Sequence, residues 1–572
     1  MRRYGWMLAV FLLLTGCAPA VSVEETSAGR PTTTPPPTAT VYVTVEPEPT
    51  EVPPDALLAA RNTFFTTSGI CASCHTGSTD EAGADVSIDS QWRSTLMANA
   101  ARDPYWQAEL ARLEITDGID GAEAEAFCAG CHTPMASYSA LQTGSQLELL
   151  GDGALAESHP EHDLAMDGVS CAVCHQITDA NLGFPASYSG GYEIEEQSSA
   201  EGRSAFGSFE AAESDRAAMR AVSGFVPEQS QHLQQAEFCA TCHTLYTPVY
   251  TSQGGTEELF PSQTPYFEWF YSEYRQTASC QDCHMPEAQG SVRLTNQDTP
   301  LRVPFQQHTF VGGNTYVLSI LDAYQDDLQA TASLQHFRRT YEALIKQLET
   351  DTAAVSLENS AIVDTWMRLD LLVENFAGHK FPTGYSSRRA WIHLRVTDAA
   401  GELVFESGAW EPSGQIQGDD FDETGVSYEP HYDQITSSDQ VQIYETIPVD
   451  SAGEVTTVSL YAAARAKDNR LLPAGFNLDR AYRDFAIYSE AAEDENFLGG
   501  EDHIRYLFDT RGFNEPFTVQ AELLFQPVGY RWITDMSGVE AQGSQQFLSY
   551  TESIPPVPEH LSSFTAEIVK GN

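Results

Sequence analysis

Basic side chains are scarce in this sequence of 572 residues. Lys and Arg together number 30 against 81 Asp and Glu, which gives a formal net charge of −51 and a pI of about 4.4. A surface with this charge repels nucleic acid and anionic membranes, and it favours solubility and cationic partners. The composition therefore argues against nucleic-acid binding. The acidity has two equally good explanations, which are adaptation to a salty or external medium and a specific basic partner.

The N-terminus lacks an apolar run long enough to span a bilayer. Residues 6–14 are apolar, follow Arg2 and Arg3, and are too few for a transmembrane helix, which is typical of a signal peptide. Arg2-Arg3 lacks the rest of a twin-arginine pattern. The run leads into Leu-Thr-Gly-Cys, which resembles a bacterial lipoprotein cleavage box and makes Cys17 the acylated first residue. We predict a lipoprotein signal peptide over residues 1–16, with an ordinary signal peptide as the alternative.

Apolar residues are also rare between residues 17 and 54, where Thr and Pro dominate. Segments of this composition are extended and semi-rigid, and they do not bury a core. We therefore predict a tether that holds the folded part of the protein away from a membrane.

Only one of the eleven cysteines lies outside a repeated pattern, Cys-x-x-Cys-His, whose five copies we number motifs 1 to 5 in chain order. The motifs are Cys71, Cys74 and His75; Cys128, Cys131 and His132; Cys171, Cys174 and His175; Cys239, Cys242 and His243; and Cys280, Cys283 and His284. Two thiols about one helical turn apart match the two vinyl groups of a haem, and the next His can take an axial position on iron. The sequence predicts five covalent c-type haems, with these cysteines as attachment sites and these histidines as proximal ligands.

Zinc sites and dithiol redox motifs also use Cys-x-x-Cys pairs. A zinc site can combine two pairs, but it needs no His after each second Cys, and five is an odd number of pairs. A dithiol redox motif normally occurs once, on a strand–turn–helix. Haem attachment accounts for all five copies. It also fits export, because haem is attached to c-type cytochromes outside the cytoplasm.

All five motifs fall within residues 55–352, at spacings too irregular for a solenoid repeat. Helices are predicted over residues 105–114 and 266–276, and one or two longer helices between 316 and 348. A porphyrin has a large apolar face that can serve as core. We therefore predict a compact, loop-rich and mainly α-helical multihaem cytochrome domain.

Alternating polar and apolar residues follow residue 353. Strands are predicted over residues 366–373, 391–396, 440–444, 454–461 and 517–526, with a hairpin turn at 399–401 before 403–407. We predict a second, all-β domain over residues 353–536, an immunoglobulin-like sandwich, and a loosely packed C-terminal tail over 537–572. The acidic run at residues 419–423 matches no calcium loop and is interpreted as a solvated charged face.

Of the fifteen histidines, ten remain after the five proximal ligands. An electron-transfer haem usually has a sixth ligand, and imidazole is a common one. Within the haem region we predict His232, His308 and one of His159 and His162 as distal ligands.

Two further candidates for distal ligands lie in the predicted β-domain. His379 is in a loop with Gly and Pro between two predicted strands, where a rigid sandwich commonly presents functional side chains. We hypothesise that His379 reaches across to ligate a haem, which would explain why a β-domain is fused to a haem domain. His431 is the weaker second candidate.

These motifs resemble a known family. Asp167-Gly-Val-Ser before motif 3, Cys283-His284-Met-Pro at motif 5, and His308 before Gly-Gly-Asn are similar to multihaem cytochromes c of the cytochrome c554-like group. Residues 378–384, 441–445 and 467–470 resemble the C-terminal domain of some exported members. The resemblance implies haems that are mostly bis-histidine, lie in stacked pairs and pass single electrons through the five motif histidines.

The sequence favours an exported, lipid-anchored electron carrier on the periplasmic or cell-surface side of a membrane. Its partners would be upstream and downstream redox proteins. The alternative is a multihaem oxidoreductase that acts on a small nitrogen or sulfur compound at one haem with an open distal side. The scarcity of basic residues and the His in every motif favour the carrier. A surface protein whose β-domain docks a partner is a third class and is compatible with the first.

Overall fold

The computed structural model describes residues 57–195, 202–477 and 482–570, all of which belong to one compact unit, Glu46–Asn572. The predicted haem and β regions are therefore not separate units within these ranges. The predicted signal peptide, Cys17 and the tether lie outside the described residues. Within the described ranges, no helix has both the length and the apolar character needed to cross a membrane.

The described ranges contain sixteen α-helices, most of them short, and the longest is α13 with 18 residues. They are α1 (Ser68–Ala72), α2 (Ile88–Trp92), α3 (Pro104–Glu114), α4 (Gly121–His132), α5 (Pro134–Thr143), α6 (His162–Met166), α7 (Cys171–Cys174), α8 (Glu213–Ser223), α9 (Ala236–His243), α10 (Pro265–Phe270), α11 (Cys280–His284), α12 (Thr315–Ala323), α13 (Leu334–Asp351), α14 (Asp420–Thr424), α15 (Tyr530–Thr534) and α16 (Gln542–Ser553).

The strands form three small ribbons in the haem region and two larger sheets after it. They are β1 (Arg203–Gly207), β2 (Phe225–Gln229), β3 (Leu245–Thr251), β4 (Gly254–Gln263), β5 (Val292–Arg293), β6 (Leu301–Arg302), β7 (Ala353–Val363), β8 (Trp366–Asn375), β9 (Arg389–Thr397), β10 (Leu403–Ser407), β11 (Gln434–Ile435), β12 (Ile443–Val449), β13 (Ala464–Asp468), β14 (Glu501–Asp509), β15 (Phe517–Gln526) and β16 (Glu559–Ile568). One large sheet has the order β13-β12-β9-β15-β16, with β10 paired to β9, and the other has the order β11-β14-β8-β7.

The two larger sheets face each other across one apolar core. Leu369 and Leu371 of β8 are buried in it together with Ile392 and Leu394 of β9. Side chains alternate across a strand, so β8 buries every second residue and leaves the others partly exposed. The β-sheets that the sequence predicts after the haem region are present, and an immunoglobulin-like sandwich domain stays a prediction.

Helix starts follow the local sequence closely. The carboxylate of Asp103 accepts hydrogen bonds from the backbone N–H groups of Tyr105 and Trp106, and Pro104 occupies the first turn of α3. The predicted helix at 266–276 is shorter: α10 ends at Phe270, and a 3-10 turn, Glu273–Gln276, leads to motif 5. The predicted helices between 316 and 348 are α12 and α13.

Two β-domain predictions are wrong. Residues 454–461 form an isolated bridge at Val455 and a 3-10 turn, Ser459–Tyr461, instead of a strand. Residues 537–572 are not a loose tail: β16 pairs with β15 from Phe517 to Phe525, and α16 packs against α3. The alternation in β16 is weak because this strand lies at a sheet edge, where half-buried polar residues are tolerated.

The acidic run 419–423 is likewise not a solvated face. Asp419 and Asp422 are fully buried, and both pair with the guanidinium of Arg389 at 2.7 and 2.8 Å. Buried carboxylates persist only with such partners. Asp419 and Asp422 are thus the counter-charges of a buried arginine, whereas Asp420 and Glu423 are exposed.

Asp167 joins two haem motifs. Its carboxylate accepts hydrogen bonds from the backbone N–H and hydroxyl of Ser68 at 2.7 and 2.6 Å, and from the hydroxyl of Ser170. Ser68 opens α1, which carries Cys71 of motif 1, and Ser170 precedes α7, which carries both cysteines of motif 3. One buried side chain thus fixes the two helix starts relative to each other.

A buried ion network joins the β-sandwich to the haem region. Arg470 pairs with Glu268 of α10 at 3.0 Å and with Asp468 at 2.9 Å, and Lys380 pairs with Asp468 at 3.0 Å. The backbone N–H of Lys380 also donates to Glu268 at 3.1 Å. The charges of Arg470 and Lys380 hold the pKa of Asp468 well below its usual range, so the carboxylate is ionised at neutral pH. The network holds the loop that follows β8 against the segment that leads to motif 5.

Substitution of Arg470 by Gln should destabilise the fold. It leaves Glu268 and Asp468 short of positive charge in a buried site, and breaking a buried pair costs about 3–5 kcal/mol. The matched control is Arg293→Gln. Arg293 pairs with the fully exposed Asp298, so this substitution should lower the free energy of unfolding by less than about 1 kcal/mol. Denaturant unfolding followed by far-ultraviolet circular dichroism measures both. Equal losses in the two variants would contradict a role for the network.

Candidate haem sites

Each of the five motifs lies on or at the end of a short helix. The helices are α1, α4, α7, α9 and α11, and motifs 2, 4 and 5 end at the last residue of their helix. Residues three apart share one face of a helix, so both cysteines of a motif point to the same side. The helical form therefore presents two thiols and an imidazole as one haem attachment surface.

Four proximal histidines are oriented by backbone carbonyl groups. The Nδ1 atom of His75 contacts the Leu294 carbonyl at 3.1 Å, and that of His132 contacts the Ala100 carbonyl at 3.0 Å. His175 and His284 make the same bond to Phe206 and Val311. A carbonyl only accepts, so Nδ1 carries the proton and the Nε2 lone pair is free. This arrangement suits a metal-binding imidazole.

Two pairs of imidazoles stand at the separation that an iron atom between them requires. The ring centres of His175 and His308 are 6.4 Å apart with planes 17° from parallel, and those of His284 and His379 are 6.2 Å apart at 9°. A metal ion about 2.0–2.1 Å from two opposed imidazole nitrogens places the ring centres roughly 6.4 Å apart. Direct stacking is much closer, as in the 4.3 Å contact of His132 with Trp106. These two pairs therefore fit axial ligation of the haems of motifs 3 and 5.

The β-sandwich holds His379 in place. The Nδ1 atom of His379 contacts the carbonyl of Lys380 at 3.0 Å, which again leaves Nε2 free for metal. On the haem side, the Tyr274 hydroxyl donates to the Phe376 carbonyl at 2.8 Å, and the Ser272 hydroxyl donates to the Gly378 carbonyl. The loop is thus anchored on both sides of its histidine.

One short segment serves two haem sites. His308 stands opposite His175 of motif 3, whereas Val311, three residues later, accepts the Nδ1 hydrogen bond of His284 in motif 5. The burial of His308 lowers its pKa to about 3, so the ring is neutral and has a lone pair at neutral pH.

His232 and His159 do not fit the predicted role. The carbonyl of Ile177 accepts from Nε2 of His232 at 2.7 Å, and the hydroxyl of Ser230 lies 2.6 Å from its Nδ1, so neither ring nitrogen is available. The backbone N–H of Glu161 donates to Nδ1 of His159 at 3.1 Å, which places the proton of the neutral ring on Nε2. These contacts speak against the prediction of His232 as a distal ligand. The sequence predicts only one ligand from His159 and His162, and the contacts of His159 speak against this member of the pair.

His162 fits better than His159. Its Nε2 lies 3.2 Å from Oε1 of Gln329, whose amide nitrogen donates to Glu157 at 3.3 Å and so fixes the orientation of the amide. Nδ1 of His162 is consequently the nitrogen with the lone pair, and it is buried without a hydrogen-bond partner among the described residues. Ala165, one turn later, packs with Ala129 of motif 2. His162 is therefore the member of the pair that can serve a haem.

His431 belongs to a polar network inside the sandwich. Its Nε2 lies 3.2 Å from Asp494 and 3.9 Å from Asp502, a grouping that could hold a metal ion. However, Nδ1 accepts from the amides of Gln442 at 2.9 Å and Asn469 at 3.2 Å, so the proton of the neutral ring is on Nε2. His431 therefore has no lone pair for haem or another metal, and its prediction as a ligand is corrected.

Contacts between the motifs indicate the order of the sites. Helix α1 packs against α7, and α9 packs against α11. In three pairs of thiols one partner raises the pKa of the other: Cys71 acts on Cys171, Cys131 on Cys242, and Cys280 on Cys239. Cys174 lies near both cysteines of motif 4. The sites therefore run from motif 1 through 3 and 4 to 5, with motif 2 joined at motif 4.

Comparison with known proteins supports the fold. A crystal structure of a penta-heme cytochrome c552 from Thermochromatium tepidum is similar to this chain, with a TM-score of 0.51 and 15% identity over 88% of this chain and 99% of that one. No protein-family model and no curated protein matches the sequence. The chain therefore has a fold of the multihaem cytochrome c type.

The sequence analysis missed three residues that shape the haem sites. Asp167 joins motifs 1 and 3, Trp106 stacks on the proximal His132, and the charge of Arg388 lowers the pKa of His243. Arg388 follows His379 in the same loop.

Replacement of His379 by Ala should convert one low-spin haem to high-spin, because it removes the imidazole opposite His284. Electron paramagnetic resonance of the oxidised protein measures this change. His159→Ala is the matched control and should leave the spectrum unaltered, since its ring has no lone pair for iron. An unchanged spectrum for the His379 variant would rule out its ligation.

Proposed function

We propose that this protein is an exported electron carrier with five covalently attached haems c. The proposal rests on two pairs of imidazoles, His175 with His308 at motif 3 and His284 with His379 at motif 5. Their separation fits six-coordinate haems, which exchange electrons without binding substrate. The haem supplies the one-electron chemistry, and the protein sets its position and surroundings. His162 is a further distal ligand in this proposal.

The contact order of the motifs supports a continuous electron path. Thiols of neighbouring motifs lie close enough for one to raise the pKa of the other, so haems attached there would be neighbours. Motif 4 is linked in this way to motifs 2, 3 and 5 and would connect the branches of the path. A branched path suits a carrier between redox partners outside the cytoplasm.

The net charge of −51 and the haem propionates favour partners with a basic docking surface. We further propose that Cys17 carries a lipid and that the Thr- and Pro-rich tether separates the haem unit from the membrane surface.

A reductive titration of the purified holoprotein tests the carrier function. We expect five electrons to be taken up per chain and returned to an oxidant without loss, since each motif contributes one iron. Coulometry with simultaneous haem absorbance gives the count. Fewer than five electrons, or reduction that cannot be reversed, would contradict the proposal.

Substitution of Cys17 by Ala tests the anchor separately. The variant should move from the membrane fraction to the soluble fraction, because it lacks the thiol that accepts the lipid, while its haem spectrum stays the same. Fractionation with haem staining measures both properties. Retention of the variant on membranes would exclude a lipid at this position.

A further inference from the structure

The outer face of the sheet β11-β14-β8-β7 carries a groove of about 480 Å³. The opposite face of this sheet buries Leu369 and Leu371 of β8 in the apolar core. Sites for small molecules have volumes of about 300–1,000 Å³, and the groove falls within this range. None of its lining residues belongs to a haem motif or is a candidate haem ligand. The chemistry of the groove is therefore separate from that of the haem sites.

A β-bulge turns two successive residues of β7 towards this groove. The pairing of β7 with β8 passes from Leu357 directly to Asn359, so Glu358 is one extra residue without a partner on β8. Successive residues of a regular strand point to opposite faces, whereas Glu358 and Asn359 both line the groove. Bulges re-aim side chains in this way, often beside functional sites. The bulge thus adds a polar side chain to the groove.

A row of three directly opposite residues crosses the groove. Asn359 of β7, Asp370 of β8 and Arg505 of β14 occupy matching positions on neighbouring strands. The Asp370 carboxylate accepts hydrogen bonds from Nε of Arg505 at 2.8 Å and from Nδ2 of Asn359 at 3.4 Å. These bonds fix the three side chains relative to one another. The Nη1 and Nη2 groups of Arg505 stay available as donors, because they make no hydrogen bond within the described residues.

Two residues outside the long strands complete the polar lining. Asp433 precedes β11, and Asn496 lies in the loop before β14. Nδ2 of Asn496 donates to the Asp433 carboxylate at 2.7 Å, which fixes the orientation of the amide because a carboxylate only accepts. Oδ1 of Asn496 is therefore an acceptor, and this atom is buried without a hydrogen-bond partner in the described part of the chain. A buried acceptor without a donor is costly, so this position favours a ligand that donates.

The charges that line the groove are largely paired. Glu358 contacts Nδ1 of His503 at 2.9 Å, and Asp370 pairs with Arg505 at 2.8 Å. The third carboxylate, Asp433, has an amide as its partner. Three carboxylates disfavour an anion, and paired charges attract a cation only weakly. The groove thus presents donors and acceptors at fixed positions with little unpaired charge, which suits a ligand whose groups both donate and accept.

We propose that this groove binds a neutral saccharide. A sugar hydroxyl donates one hydrogen bond and accepts others, so neighbouring hydroxyls can donate to Oδ1 of Asn496 and accept from the Nη groups of Arg505. The planar side chains of Asn359 and Asp433 each have two polar atoms, which can contact two adjacent hydroxyls. The binding rests on the groove alone and not on the electron-carrier function. In an exported protein it holds the β-sandwich on saccharide chains outside the cytoplasm.

The test is isothermal titration calorimetry of the purified holoprotein with cellobiose, maltose and N,N′-diacetylchitobiose. We expect at least one of these disaccharides to bind without a change in haem absorbance. Co-sedimentation with insoluble cellulose and chitin distinguishes a polymer surface from a free sugar as the source of the ligand.

Two variants locate the binding in the groove. Arg505→Ala removes the Nη donors and Asn496→Ala removes the buried acceptor. Each should weaken binding by about tenfold, which corresponds to about 1.4 kcal/mol. Arg511→Ala is the matched control, because Arg511 pairs with Asp509 at the end of the same strand, is 75% exposed and does not line the groove. The control should bind as the native protein does.

Three results would overturn the proposal. The first is the absence of binding to all three disaccharides and both polymers. The second is an affinity that neither groove variant changes, or that the control lowers as much as they do. The third is binding of spermidine, a cation without hydroxyl groups, by a protein that binds no saccharide. Far-ultraviolet circular dichroism checks the fold of each variant, and Asn496→Ala decides if Arg505→Ala does not fold, because Asn496 lies outside the sheet.

Discussion

A neutral imidazole has one nitrogen lone pair, and the hydrogen bonds around the ring determine which nitrogen carries it. Backbone carbonyls at Leu294, Ala100, Phe206 and Val311 place the proton on Nδ1 of four proximal histidines and leave Nε2 free for iron. Donors at His159 and His431 have the opposite effect. The haem sites thus depend on loops that present carbonyl groups at defined points, which explains why so much of this region is irregular.

The β-sandwich takes part in the haem sites. Its long loop after β8 carries His379 towards motif 5 and Arg388 towards motif 4, so one connection contributes to two sites. A loop that must position two side chains requires rigid support. The ion network of Glu268, Arg470 and Lys380 gives this support, and α16 fastens the C-terminal end of the chain to α3. The buried charges are costly in isolation, and they are retained here in complementary pairs.

The sequence was most informative where local chemistry determines structure. The motifs, the start of α3 at Asp103 and the alternation of β8 follow from residue type and spacing alone. For the distal ligands, the sequence predicted a group of candidate histidines but not which of them keep a nitrogen free for iron. Whether a histidine keeps a free lone pair depends on donors distant in the chain, such as Asn469 for His431. The pairing of β16 was not predictable either, because its polar residues lack the pattern of a buried strand.

The segment from His308 to Val311 links two redox centres mechanically. One end faces His175 and the other accepts the proton of His284, and only two residues lie between them. With haems held at motifs 3 and 5, a displacement of His308 would therefore alter the hydrogen bond that Nδ1 of His284 donates to Val311. This short peptide would then couple the two sites through the backbone.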